Sequence, residues 1–219
     1  MKIFTAAIFL SFYLQVGAQT DSTFKLAHTN RYKQITLNII KYLGIPFRNS
    51  HSKDGRLLFA FDKPAGFGQR SPAYGMFVHG PYLFRRPDTI NVVYPTPIVY
   101  ISRNIYNDLK NNHHTSEKFI KALGCVLHEI THYYQHINYN YISYWPTGDY
   151  YAYFCQPYER DAYAVEAYFY LSRLKPRELQ NILATHSGDN IRLKRELIKV
   201  HSKYIKRSFP SHNSELDCP

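Results

Sequence analysis

The sequence predicts an α+β fold in which a small, mostly antiparallel sheet packs on one long helix and is followed by a helical C-terminal part. Three observations predict this fold. Short runs rich in β-branched and aromatic residues, separated by Gly, Pro and Asp, fill residues 56–102. An amphipathic segment then runs from Thr115 to about Ile137, and three further helical segments follow it.

The N-terminal residues have the pattern of an export signal. Lys2 precedes an apolar run that is short for a membrane span, and Gly17-Ala18 supplies the small residues that a signal peptidase reads. We therefore predict a cleaved signal peptide over residues 1–18 and a secreted or periplasmic protein that begins close to Gln19. An uncleaved N-terminal anchor is the alternative, and no later segment is long and apolar enough to span a bilayer.

Residues 19–209 are predicted to form a single domain, followed by a mobile tail over residues 210–219. A chain of 219 residues with 45% hydrophobic residues can bury a sizeable core. The formal net charge is +11, concentrated late in the chain. We interpret the basic segment Arg192–Arg207 as a solvated helix face, and because no nucleic-acid motif accompanies it we expect no nucleic-acid partner.

The elements before the long helix are predicted in two groups. Thr29 or Asn30 can cap a helix that runs to Leu43 and ends at Gly44 and Pro46. Four runs then predict short strands: Leu57–Phe61, Gly75–His79, Ile90–Tyr94 and Ile98–Ser102.

The elements from Thr115 onward are predicted to be helical. Thr115 is a good N-cap for the long helix, with Glu117 in its first turn. A loop of about twenty residues is expected after Ile137. Helices are then predicted over Tyr158–Leu174, with Pro157 in the first turn, and near Pro176–Thr185 and Asn190–Ser208.

The long helix carries the sequence HEITH, in which His128 and His132 are four residues apart. Residues at this spacing lie on the same helix face, one turn apart, so both imidazoles can reach one metal ion. Glu129 can point toward an attacking water without binding the metal, and it is the general base of the HExxH arrangement. The alternative is a surface helix that carries these histidines without a metal. The apolar neighbours Val126 and Ile130 favour the metal site, because they indicate that this helix face is not solvated.

A third metal ligand is expected from another element, because catalytic zinc usually has three protein ligands and one open position. Glu159 lies in the first turn of the next helix, and we predict that it is this ligand. Asp161 and Glu166 of the same helix are the alternatives. The helix dipole also favours an acid at the position of Glu159 without any metal.

The segments ALGCVLHEITHYYQ and PYERDAYAVE together resemble the HExxH…E zincins, the gluzincin-type metallopeptidases, over residues 90–170 at best. The resemblance implies a Zn²⁺ cofactor held by His128, His132 and Glu159, with Glu129 as the catalytic base. It also implies that the strand Ile98–Ser102 pairs with an extended substrate. The glycine and third histidine of metzincins are missing, and Gln135 stands where that glycine would be.

The sequence thus predicts an exported zinc metallopeptidase whose partner is a protein or peptide substrate. A non-catalytic exported binding protein and a zinc hydrolase of a non-peptide amide or ester are the alternatives. An oxyanion-stabilising donor is expected among Tyr163, His186, His201 and the tyrosines of residues 139–153. His136, one more turn along from His132, is either close to the substrate or a plain polar residue.

The sequence contains three cysteines, which is an odd number, so at least one thiol must be left over from any pairing within the chain. A bridge between Cys155 and Cys218 is possible in an exported protein, and Cys125 is expected to be a small buried residue.

Overall fold

The computed structural model describes residues 27–45, 58–61, 75–78, 83–85, 91–93, 98–139 and 150–208. The predicted signal peptide (1–18) and the predicted tail (210–219) lie outside the described residues. Among the residues that are described, no helix combines the length and apolarity needed to cross a membrane.

Seven helices lie in the described part of the chain: α1 Ala27–Tyr42, α2 Arg103–Asn111, α3 Glu117–Tyr139, α4 Tyr150–Cys155, α5 Pro157–Leu174, α6 Pro176–Thr185 and α7 Asn190–Ser208. Five of them lie close to the predicted helical segments. Helices α2 and α4 were not predicted. The signal for α2 was present, since Ser102 caps it by accepting a hydrogen bond from the Ile105 amide at 3.4 Å, and Ile105 and Leu109 are buried one turn apart.

Helix α3 begins at Glu117, one residue later than predicted from an N-cap at Thr115. Ser116, and not Thr115, caps the first turn, because its hydroxyl accepts a hydrogen bond from the Phe119 amide at 3.2 Å. The hydroxyl of Thr115 instead lies 2.8 Å from Nδ1 of His113.

The predicted α+β fold with a mostly antiparallel sheet is wrong, because the described chain is predominantly helical. The strands are three or four residues long: β1 Leu58–Phe61, β2 Gly75–Val78, β3 Leu83–Arg85, β4 Asn91–Val93 and β5 Ile98–Ile101. In β5, Val99 and Ile101 are buried in the core.

The described strands form two separate sheets. Strand β5 lies between β1, to which it is parallel, and β2, to which it is antiparallel, while β3 and β4 form a separate antiparallel pair. Both edges of β5 are therefore occupied within the described sheet. The expectation that Ile98–Ser102 pairs with a substrate is wrong for this reason.

The core lies where α3 and α5 pack together, with α7 against the other side of α5 and α1 against α3. Small residues on the two central helices, Ala122 on α3 and Ala162 on α5, are fully buried and allow the backbones to approach closely. Large side chains such as Leu127, Ile130 and Leu197 fill the remaining space. The packing of α3 against α5 determines which polar groups meet in the interior.

Of the cysteines, Cys125 is a free thiol and Cys155 is disulfide-bonded. The predicted partner, Cys218, lies outside the described residues.

Candidate metal centre

Helix α3 places the two histidines of HEITH side by side in the interior. His128 is 6% exposed and lies between the buried residues Leu127 and Glu129, one turn before His132. The Nε2 atoms of His128 and His132 are 3.1 Å apart, and the two rings meet edge to face. The spacing of four residues therefore brings both Nε2 atoms to one point, as the helix geometry requires.

Helix α5 brings Glu159 to the same point. Pro157 begins this helix, where its missing N–H is tolerated, and Glu159 follows in the first turn. The carboxylate is 1% exposed, with Oε2 3.3 Å from Nε2 of His128 and Oε1 3.4 Å from Nε2 of His132. The ligand atoms of the three residues all lie within 4.8 Å of one another.

The residues present fit a metal ion. Two donors that each lie 2.0–2.1 Å from one tetrahedral ion are about 3.3 Å apart, close to the three separations found here. Oε2 of Glu159 is buried and makes no hydrogen bond. A buried acceptor without a donor is costly in a protein interior, and a cation at this point would satisfy it.

The pKa shifts of His128 and Glu159 show that the buried carboxylate of Glu159 needs positive charge beside it. Burial disfavours the charged forms, yet the ion pairs with Glu159 and Glu166 raise the pKa of His128 to about 10. Burial acts against ionisation of Glu159 as well, but the charges of His132 and His128 lower its pKa to about 2. The carboxylate is thus ionised and requires positive charge beside it, which either protons or a metal ion can supply.

Gln135 holds His132 in place. Its Oε1 lies 2.8 Å from Nδ1 of His132, and its Nε2 donates to the carbonyl oxygen of Tyr158 at 2.8 Å. An acceptor on Nδ1 leaves Nε2 of a neutral imidazole free to bind a metal. The same side chain fixes the first turn of α5, and so the position of Glu159. Sequence reasoning missed this role, although the spacing of three residues from His132 on one helix face indicates the contact.

The two alternative ligands lie elsewhere. Asp161 points to α7, where its carboxylate lies 3.2 Å from Nζ of Lys194. Glu166 is close to His128 but on the other side of the ring, with Oε2 3.3 Å from Nδ1. Its second oxygen lies 3.0 Å from Nε2 of His201 on α7. Burial opposes ionisation of Glu166, but the charges of His201 and His128 outweigh it and lower the pKa of the carboxyl.

Glu129 lies beside the donor group without belonging to it. It is 8% exposed and packs against strand β2, where the backbone amide of Phe77 donates to its carboxylate. A Cβ atom added at Gly75 would lie 2.7 Å from Cγ of Glu129, so the carboxylate occupies the space that this glycine leaves open. Burial raises the pKa of Glu129, while the two histidines act in the opposite direction. No local sequence signal indicated the contact, because Gly75 and Glu129 are distant in the chain.

The residues expected as oxyanion donors, Tyr163, His186 and His201, have different surroundings. The ring of Tyr163 lies 4.4 Å from that of His128 and stacks on Phe154 at 3.8 Å. His201 is buried against Glu166, and His186 ends helix α6. The tyrosines of residues 140–149 lie outside the described residues. His136 contacts the ring of Phe77 on β2 at 5.7 Å, on the same side as Glu129.

No protein-family model, curated protein or solved structure matches this chain.

Proposed function

We propose that this chain is a zinc-dependent metallopeptidase with His128, His132 and Glu159 as metal ligands and Glu129 as general base. The observation that carries the proposal is the convergence of three donor side chains, two buried and one partly buried, whose ligand atoms lie within 4.8 Å of one another, with the acidic side chain of Glu129 beside them and outside the donor group. Three ligands and a separate base are the protein groups that metal-assisted hydrolysis needs.

The donor types favour zinc. Two imidazole nitrogens and one carboxylate form a set typical of catalytic zinc sites. Calcium and magnesium prefer sites built from oxygen alone. Zinc held by these residues would make a water acidic enough to act as a nucleophile near neutral pH and would polarise the carbonyl group under attack.

Glu129 is suited to proton transfer. In peptide hydrolysis the oxygen of water bonds to the carbonyl carbon, the C–N bond breaks, and the amine leaves with an added proton. A carboxylate beside the site can take a proton from the water and deliver it to the amine nitrogen. Burial, which raises the pKa of Glu129, makes its carboxylate a better base than an exposed one.

The position of strand β2 favours an extended peptide as the substrate. Within the described sheet, β2 is an edge strand that pairs on one side with β5, and it contacts Glu129 through Gly75 and Phe77. A peptide that adds to the other edge of β2 by backbone hydrogen bonding would run past Glu129.

The proposal is tested by measuring the zinc content of the purified protein together with cleavage of casein and of a mixed peptide library. We expect stoichiometric zinc, cleavage that a chelator abolishes, and recovery when zinc is added back. Zinc without peptide cleavage, but with hydrolysis of small amides or esters, would assign a different substrate class. Absence of both zinc and hydrolysis would leave a binding protein.

The contact between β2 and Glu129 gives a separate prediction. Gly75→Ala should lower kcat by about 10- to 100-fold, because the added methyl group would displace the carboxylate and small misplacements of catalytic groups have effects of this size. Zinc content should not change, since the three atoms nearest to a Cβ added at Gly75 all belong to Glu129, which is not one of the proposed ligands. Gly188→Ala is the control: this residue has a φ of 85° and open space around it, so its variant should lose thermal stability and keep kcat. Wild-type kcat in Gly75→Ala would contradict the placement of Glu129.

A further inference from the structure

Two ionisable residues near the site, the buried His201 and the partly buried Glu166, are neither ligands nor the base. Glu166 on α5 and His201 on α7 face each other, with Oε1 of Glu166 3.0 Å from Nε2 of His201. His201 is 4% exposed. Nδ1 of His201 is buried and makes no hydrogen bond, so within the described residues Glu166 is its polar contact. Burying an ionisable group is costly unless it has a partner. The partner of His201 is Glu166, which also contacts the proposed ligand His128.

We propose that His201 is a positioning residue of the metal centre: it fixes the carboxylate of Glu166, which fixes His128, and so links helix α7 to metal binding. This inference rests on the metal-binding part of the proposed function. Its geometric basis is that the two oxygens of one carboxylate meet two imidazoles, Oε2 at 3.3 Å from Nδ1 of His128 and Oε1 at 3.0 Å from Nε2 of His201.

The first step concerns His128. A neutral imidazole that binds a metal through Nε2 carries its proton on Nδ1 and donates it to an acceptor, and this acceptor sets the tautomer and the orientation of the ring. Nδ1 of His128 is buried and makes no hydrogen bond in this conformation, and Oε2 of Glu166, 3.3 Å away, is the acceptor positioned to receive its proton. The orientation of His128 therefore depends on the orientation of the Glu166 carboxylate.

The second step concerns what holds that carboxylate. Glu166 has several rotatable bonds, and on α3 its side chain packs closely on Gly124, where an added Cβ would lie 3.2 Å from Cγ. The thiol of Cys125 lies 3.6 Å from Oε1. These contacts limit the stem of the side chain, but a thiol is a weak donor. The strong donor available to Oε1 is Nε2 of His201.

The third step concerns His201 itself, whose ring is held by aromatic neighbours. It lies 4.7 Å from the ring of Tyr163, which also contacts His128, and is stacked near Phe154. Leu193, Leu197 and Ile198 bury the same face of α7 in the core. Docking of α7 therefore places His201 against Glu166, and an ordered Glu166 completes the surroundings of His128.

A purely structural role for His201 makes a different prediction. A structural residue stabilises the folded chain equally with and without metal. A positioning residue changes the dissociation constant for the metal. Because the stabilisation by a bound ligand depends on the logarithm of ligand concentration over dissociation constant, the rise in melting temperature on adding metal changes too.

The test compares two replacements of His201 that differ in reach. His201→Gln places its amide where Nε2 of histidine was and can still donate to Glu166. His201→Asn places its amide nearer the backbone and cannot. Ser202→Ala is the control, since it removes a buried hydroxyl of the same helix that donates to the Ile198 carbonyl. The readouts are the zinc dissociation constant by chelator competition, the absorption spectrum of the cobalt-loaded protein, and the melting temperature with and without zinc.

We expect His201→Asn to weaken zinc binding by about 10- to 100-fold, the usual effect of losing a group that orients a ligand. Its cobalt spectrum should shift, and zinc should raise its melting temperature less than in the wild type. His201→Gln should stay close to the wild type, and Ser202→Ala should lose stability without a change in affinity. Glu166→Gln should weaken zinc binding as His201→Asn does, and adding His201→Asn to it should weaken binding no further, because the two residues act in series.

Unchanged zinc affinity and cobalt spectrum in His201→Asn, with equal losses of melting temperature in both states, would overturn the inference and leave the proposed function intact. If His201→Asn does not fold, His201→Leu takes its place, since leucine is apolar and cannot donate to Glu166; unchanged zinc affinity and cobalt spectrum in that variant would overturn the inference equally. A wild-type protein that binds neither zinc nor cobalt would overturn the proposed function and this inference together.

Discussion

Glu129→Gln should lower peptide hydrolysis by about 10²- to 10⁴-fold, the usual contribution of a general base, and leave the zinc content of the protein unchanged. Glutamine keeps the volume of glutamate and can still occupy the space beside Gly75. Its amide cannot accept a proton at neutral pH, so the water loses its base and the leaving amine loses its proton source.

The structure makes this variant informative, because Glu129 is separate from the donor group. The carboxylate contacts β2, where the Phe77 amide donates to it, and the proposed metal donors are His128, His132 and Glu159. The oxygen of a glutamine amide can accept the same hydrogen bond. The fold should therefore be preserved, and circular dichroism together with the melting temperature will show whether it is.

Two results would contradict the role given to Glu129. Loss of zinc in Glu129→Gln would make it a ligand. Hydrolysis at the wild-type rate with zinc still bound would mean that another group takes the proton. Chelator-treated wild-type protein is the matched control, since it lacks zinc and retains Glu129.

The donor group could be predicted from the sequence because its geometry is local. A spacing of four residues on a helix fixes the relative positions of His128 and His132 without knowledge of the fold. Glu159 was predicted from its place in the first turn of the next helix, and the structure brings it to the two histidines. Asp161 and Glu166 were open alternatives because nothing in the sequence shows how α5 is rotated against α3.

The contacts that surround the donors could not be predicted, because they join residues distant in the chain. Gly75 meets Glu129, and His201 meets Glu166, only after β2 and α7 have packed on the central helices. The fold class failed for a related reason. Runs of β-branched and aromatic residues indicate strands locally, but they do not show how long those strands are, and in the described part of the chain the strands are three or four residues long while most residues are helical.

Glu159→Ala should weaken zinc binding by more than the 10- to 100-fold typical of residues that only orient a ligand, and should abolish hydrolysis. Glu159 is the acidic member of the donor group and is 1% exposed. Without it the two histidines remain as a pair of neutral donors, and the positive charge of a bound ion has no carboxylate among its ligands. Zinc content and the dissociation constant are the measurements.

Asp161→Ala and Glu166→Ala are the matched comparisons, because all three acids lie on α5. Asp161→Ala breaks the ion pair with Lys194, so it should lower the melting temperature and keep zinc. Glu166→Ala leaves the three donors in place and removes the acceptor at Nδ1 of His128, so a loss of about 10- to 100-fold in affinity is expected. Zinc should bind most tightly to Asp161→Ala, less tightly to Glu166→Ala and most weakly to Glu159→Ala.

This order also tests how α5 is rotated. Residues two apart on a helix differ by about 200° around its axis, so Glu159 and Asp161 cannot face the same neighbour. In the structure Glu159 faces α3 and Asp161 faces α7. If Asp161→Ala lost zinc and Glu159→Ala retained it, α5 would have to be turned by about half a revolution. The hydrogen bond from Gln135 to the Tyr158 carbonyl and the contact between His201 and Glu166 would then both be broken. A reversal of the zinc affinities of Asp161→Ala and Glu159→Ala would therefore reject the whole arrangement of the site.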